Sequence, residues 1–137
     1  RGQPKGRFVM FASLFLALAG LAPPAAIDET ELYSVWIQQA CRIQQVGYSG
    51  GEPADHMEFC DCFDGTLQFV SNAATYRVLA LGSQGALQEQ SLIEDWENAR
   101  DTAAAEAAAM SLEDQAEFVP LMQSALMTCM HLSYQGE

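Results

Sequence analysis

Four cysteines (Cys41, Cys60, Cys62 and Cys129) and two histidines (His56 and His131) are the residues of this 137-residue chain with the most chemistry open to them. His56, Met57, Cys60 and Cys62 lie close in sequence, and Met127, Cys129, Met130 and His131 gather towards the other end, which is the donor set of a soft-metal site. The spacing argues against one. A C-x-C on a helix lacks the C-x₂₋₄-C separation of zinc ligands, disulfides would consume the thiolates, and methionine at helical spacing ordinarily fills a core. We therefore expect neither a metal nor a cofactor. His56, in the first turn of a helix, is expected to be solvated, and His131, near a helix C-terminus, to meet the helix dipole.

Thiol redox chemistry at Cys60-Asp61-Cys62 is the next reading, but such enzymes set C-x-x-C at a helix start within a βαβ pattern, and no strand pattern occurs here. The chain also lacks G-x-S-x-G, H-E-x-x-H and a P-loop, and neither histidine has a serine partner or an orienting carboxylate in its neighbourhood. The acidic cluster Glu94, Asp95 and Glu97 and the pair Glu113-Asp114 read as solvated helix surface. The expectation is that no residue is catalytic.

The cysteines then read as two disulfides in an exported chain, for which three pairings exist. If the first two helices form a hairpin around residues 47–54, Cys41 and Cys60 sit at the same height and face each other. Cys60 and Cys62 fall on opposite flanks of their helix, so one of them must reach elsewhere. Cys41–Cys60 with Cys62–Cys129 is preferred, Cys41–Cys62 with Cys60–Cys129 is the close rival, and a Cys60–Cys62 bond ranks last. By loop entropy the preferred pair stabilises by about 3.3 and about 4.4 kcal/mol respectively.

The elements that must position these residues are all helical. Asp28 to Glu31 has the form of a capping box, and Leu32, Tyr33, Trp36, Ala40 and Ile43 form a stripe that predicts a helix over 28–46. Asp55-His56-Met57-Glu58 repeats the signal before Phe59, Phe63, Leu67 and Val70, predicting a second helix to about Ser71. Asn72 caps a short third helix through Tyr76, Val78, Leu79 and Leu81, ended by a turn at Gly82-Ser83-Gln84-Gly85. Leu92, Trp96, Ala99, Ala103, Ala107 and Met110 mark a long fourth helix over 86–110, rich in alanine. Ser111 starts the last helix, with Phe118, Leu121, Met122, Ala125, Leu126, Cys129 and Met130 on its apolar face and a kink expected at Pro120 unless that residue falls in the first turn. The fold class is all-α: a small up-and-down bundle of four to five helices stapled by two disulfides, preceded by an N-terminal signal or anchor helix.

That N-terminal segment sets the compartment. Arg1, Lys5 and Arg7 precede the apolar run 8–22, which includes Phe8, Phe11, Leu14, Phe15 and Leu18, and Pro23-Pro24-Ala25-Ala26 follows. Fifteen helical residues span roughly 22 Å, short of the roughly 30 Å hydrocarbon core, which fits a signal peptide better than a span. Residues 1–26 are thus a cleaved signal peptide or a retained signal anchor with its N-terminus in the cytoplasm, and 27–137 an exported acidic domain. Under both readings this domain is periplasmic or extracellular. The whole chain carries a net charge of −12 and is 50% hydrophobic. Beyond residue 26 three basic residues (Arg42, Arg77 and Arg100) stand against all eighteen acidic ones, a balance of −15. Such a surface repels phosphate and excludes nucleic-acid binding, and membrane contact would be confined to residues 8–22 if they are retained.

The order of features (a signal, Cys41 on an early helix, Cys60-Asp61-Cys62-Phe63-Asp64-Gly65, and Ser124-Ala125-Leu126-Met127-Thr128-Cys129 on the final helix) resembles the exported immunity proteins that neutralise type VI secretion effectors. The alanine-rich helix and the C-x-C are departures from that pattern. Two functions are expected. The first is a non-catalytic periplasmic accessory or interaction protein, docked on a larger membrane complex through its N-terminal helix. The alternative, implied by the resemblance, is a soluble immunity or inhibitor protein set against a cationic effector enzyme. A metal or thiol-redox module comes last.

Overall fold

The computed structural model describes residues 28–136. Five helices account for most of them: α1 (Glu29–Ser49), α2 (Met57–Val70), α3 (Ala73–Leu87), α4 (Trp96–Ala108) and α5 (Leu112–Cys129). Short 3₁₀ turns lie at Pro53–His56, Gln88–Gln90 and Met130–Leu132. The expected signal or anchor helix, with Phe8, Phe11, Leu14, Phe15 and Leu18, lies outside the described residues.

Side-chain pairs set the directions of the helices. Cys41 bonds Cys60, and Ser34 and Gln38 reach Asp64, so α2 runs antiparallel to α1. Tyr33 meets Arg77 while Gln39 meets Gln84, so α3 returns parallel to α1. Arg77 pairs with Glu106 and Gly85 abuts Arg100, so α4 descends beside α3. Cys62 bonds Cys129, which ties the start of α2 to the end of α5. The result is the expected up-and-down all-α bundle with the preferred disulfide pairing and no free cysteine.

Two apolar clusters fill it. Tyr33, Ile37, Phe59, Phe63, Leu67 and Tyr76 join α1, α2 and α3, and both disulfides border this group. Val78, Leu81, Ala99 and Ala103 join α3 to α4, with Phe118 of α5 packed against them. Each Val, Leu, Ile or Phe side chain so buried stabilises the fold by roughly 1.5–3 kcal/mol, and each alanine methyl by less.

The structure corrects the expected boundaries at α3. The predicted turn at Gly82-Ser83-Gln84-Gly85 is helical, and α3 continues to Leu87. A Cβ on Gly85 would stand 2.7 Å from Arg100 Cβ and 2.8 Å from its Cα. Glycine here serves close helix packing. The fourth helix consequently begins at Trp96 rather than 86, capped by Asp95, whose side chain accepts from the Asn98 N–H at 3.1 Å. Leu92, assigned to its seam, lies instead in the preceding loop, half exposed.

The ends of the other helices follow local chemistry more closely. Asn72 and Ser111 cap α3 and α5 as expected. Asp28 makes no side-chain cap bond, and the capping box of the second segment is Glu52 with Asp55 around the 3₁₀ turn, three residues before the expected pair. Pro120 lies well inside α5, which continues unbroken from Leu112 to Cys129. It is exposed, as is Ala116, whose carbonyl loses its helical donor, so water can satisfy that oxygen.

Candidate functional site

Three polar ties fasten the helices to one another. At the lower end, taken as the N-terminal end of α1, Arg77 grips Glu106 with Nε at 2.9 Å and Nη2 at 2.9 Å, and donates from Nη1 to Tyr33 Oη at 2.8 Å. That pairing lowers the Glu106 pKa and raises the arginine's further above its ordinary value. In the middle, the buried Asp64 carboxylate accepts from Ser34 and Gln38 of α1, Tyr76 of α3 and Gln68 of its own helix. Burial, and then the bond to this carboxylate, push the Tyr76 hydroxyl well above the usual phenol range.

The third tie is Gln84, fully buried on α3. Its Nε2 donates to the Trp36 carbonyl at 2.8 Å and Gln39 Oε1 at 2.7 Å, and its Oε1 accepts from Ser91 Oγ at 2.8 Å and Leu92 N–H at 2.7 Å. One amide therefore fastens the loop before α4 to α1 with all four of its bonds made.

Between these ties the helices leave a cleft of about 620 Å³, within the range of small-molecule sites. Its floor is the buried face of Ile37, Ala40, Phe59, Phe63 and Leu67, and one wall is the small-residue side of α4, Ala103, Ala104 and Ala107. Exposed Gln44, Tyr48, Arg100, Ala104 and Leu126 mark its mouth. Alanines on α4 keep that wall low, and so the opening exists.

The cleft is graded from end to end. Gln44, Gln45 and Tyr48 come from the upper part of α1, and Arg100 lies level with Gly85, also high. Val78, Ala107, Phe118 and Met122 close the lower end. By helical rise Arg100 and Ala107 are roughly 10 Å apart along α4, and Ile37 and Tyr48 roughly 16 Å apart along α1. Among the described residues no acidic one lines the cleft.

The residues singled out from sequence fall elsewhere. The cysteines are joined in the two disulfides, and the cleft touches only Cys41. His56 is not solvated: it is buried beneath the C-terminal segment, its Nε2 donates to the Gly50 carbonyl at 2.8 Å, and its ring meets Tyr134 edge-on. The Pro53–His56 turn is responsible, since it swings the ring inward before α2 begins. His131, Met57, Met127 and Met130 are exposed and do not converge, and among the described residues no three histidine, cysteine or carboxylate side chains group as metal ligands. Glu94, Asp95, Glu97 and Glu113 are exposed and Asp114 half-buried. Among the described residues no helix is long and apolar enough to cross a membrane.

No known protein family, curated protein or solved structure matches this chain. The resemblance to exported immunity proteins therefore rests on the cysteine order and the closing Ala125-Leu126-Met127-Thr128-Cys129. Asp64, Gln84 and Arg100 were missed from sequence. Asp64 had a readable signal, a carboxylate four residues after Cys60 on the buried stripe of α2, whereas Gln84 and Arg100 acquire meaning only once α3, α4 and the intervening loop are in place.

Proposed function

We propose that the chain beyond residue 26 is a non-catalytic, exported accessory protein that holds an apolar segment or molecule of its partner in the cleft. The observation that carries this reading is the cleft itself, an apolar floor under an open mouth in a small, otherwise well-tied bundle. Supporting it, the groups with chemical potential have structural employment: the thiols in disulfides, His56 on a backbone carbonyl, Asp64 among four donors. Two disulfides are compatible with an oxidising compartment, and the apolar run 8–22 supports export.

A neutral apolar fluorophore, N-phenyl-1-naphthylamine, tests the cleft directly. One saturable site is expected, lost in Ala104→Phe, which places a ring in the mouth from an exposed position. Equal binding by the folded variant, or no saturable binding by the parent, overturns the reading. Intact mass of membrane and soluble fractions tests the compartment. A membrane species retaining residues 1–26 marks an anchored subunit, a soluble species starting near Ala26 or Ile27 a diffusible one, and a cytoplasmic species with reducible thiols left free overturns export.

The acidity favours a second reading, an immunity or inhibitor protein that covers a cationic effector enzyme. Its partner binding would weaken steeply with salt and would survive Ala104→Phe, because the charges lie outside the cleft.

A further inference from the structure

We infer that the cleft takes a single-tailed amphiphile with an anionic head, a long-chain carboxylate in its simplest form, with the head at Arg100 and the tail directed towards Phe118 and Met122. The inference rests on the cleft being the working surface, and names what enters it. Its basis is an inversion of charge. A chain with eighteen acidic and six basic residues lines this cleft, among the described residues, with no acidic residue and one basic residue, Arg100. A cationic head would find no counter-charge in that lining, whereas an anionic head finds Arg100, with the neutral amides of Gln44 and Gln45 lining the same cleft.

Arg100 is placed and available for this. Its guanidinium carbon lies 5.5 Å from the centre of the Trp96 ring, which holds the side chain over one face. Its contact to Asp101 is a single exposed one of 3.2 Å from Nε, and among the described residues its Nη1 and Nη2 have no partner. Arg77, by contrast, spends its fork on Glu106 and Tyr33. The grading of the cleft supplies the direction. Gln44, Gln45 and Tyr48 stand at the upper end, Arg100 lies below them at the level of Gly85, and the lower end is closed by Val78, Ala107, Phe118 and Met122. Acidic residues beyond about 8 Å are screened at physiological salt, and Asp101, the carboxylate that does touch the guanidinium, is exposed and engages Nε alone.

The test is calorimetric titration of the full chain, both disulfides formed, with decanoate, dodecanoate and tetradecanoate below micellar concentration, alongside 1-dodecanol and dodecyltrimethylammonium. Binding of one carboxylate per chain is expected, tightening about fourfold per methylene. Dodecanoate should bind more tightly than the alcohol and the ammonium amphiphile. Arg100→Gln should lose the preference for carboxylate over alcohol while keeping alcohol affinity, Arg100→Lys should restore part of it, and Ala104→Phe should abolish binding of both. Unchanged head preference in a folded Arg100→Gln chain overturns the assignment, as does tighter binding of the ammonium. If the naphthylamine occupies the cleft but no alkyl carboxylate does, or an amphipathic peptide alone displaces it, the ligand class is wrong and the cleft reading stands. If the naphthylamine also fails, both fall.

Discussion

The hydroxyl of Tyr76 on α3 donates to Oδ1 of Asp64 on α2, while Oδ2 of the same carboxylate takes Ser34 and Gln38 from α1. One buried acid thus sets the spacing of three helices beside the cleft. Asp64→Ala leaves these donors without an acceptor and should cost about 3 kcal/mol, whereas Tyr76→Phe removes a single bond to a charged group and should cost about 1.5–2 kcal/mol. The midpoints of urea denaturation check both values, and an Asp64→Ala midpoint equal to the parent's would contradict the role given to the carboxylate.

The same pair makes stability fall in alkali. Burial and the bond to Asp64 raise the Tyr76 pKa above its ordinary 10.0 in the folded chain. Above about pH 10 the unfolded chain therefore releases a proton that the folded chain keeps, and unfolding is favoured as pH rises. Tyr76→Phe should flatten this dependence, as read from unfolding free energy across that range. An equally steep loss in the variant would assign it to another group.

The disulfides should differ in weight because they close loops of different length, with sequence separations of 19 and 67. Replacing Cys62 and Cys129 with serine should cost about 1 kcal/mol more than replacing Cys41 and Cys60. Alkylation of the oxidised chain should add no mass, and alkylation after reduction should modify all four cysteines.

Two helical glycines one turn apart should respond in opposite senses to alanine. A Cβ on Gly82 meets only Ala103 Cβ, at 3.8 Å, so Gly82→Ala should stabilise by about 0.5–1 kcal/mol through backbone entropy. At Gly85 the added carbon meets Arg100 backbone, and the overpacking should cost about 1–3 kcal/mol. Thermal midpoints of the two variants would show the difference in sign.

Tyr33 and Ala40 of the α1 stripe, the stripe Phe59–Phe63–Leu67, the caps at Asn72 and Ser111, and the facing of Cys41 and Cys60 were legible in the chain, whereas Ile37, buried between Tyr33 and Ala40, was missed. Each depends on residues within one helix or one hairpin, where helical periodicity and a short loop leave little freedom. The course of 82–95 was not legible. Local propensity favours a turn at two glycines, but packing against Arg100 keeps Gly85 in the helix, and Gln84 draws the following loop down onto α1. His56 was misjudged for the same reason, since its burial depends on Tyr134 returning from the far end of the chain.

The amino-acid sequence by itself determined an acidic, all-helical chain with paired thiols, because charge, helical period and hairpin height are properties of short stretches. Only the tertiary structure decided that there is a cleft, that among the described residues no carboxylate lines it and that Arg100 stands in its wall. Those facts follow from which faces of five helices approach one another, and side chains from every helix, far apart in the chain, must meet before a cavity and its charge exist.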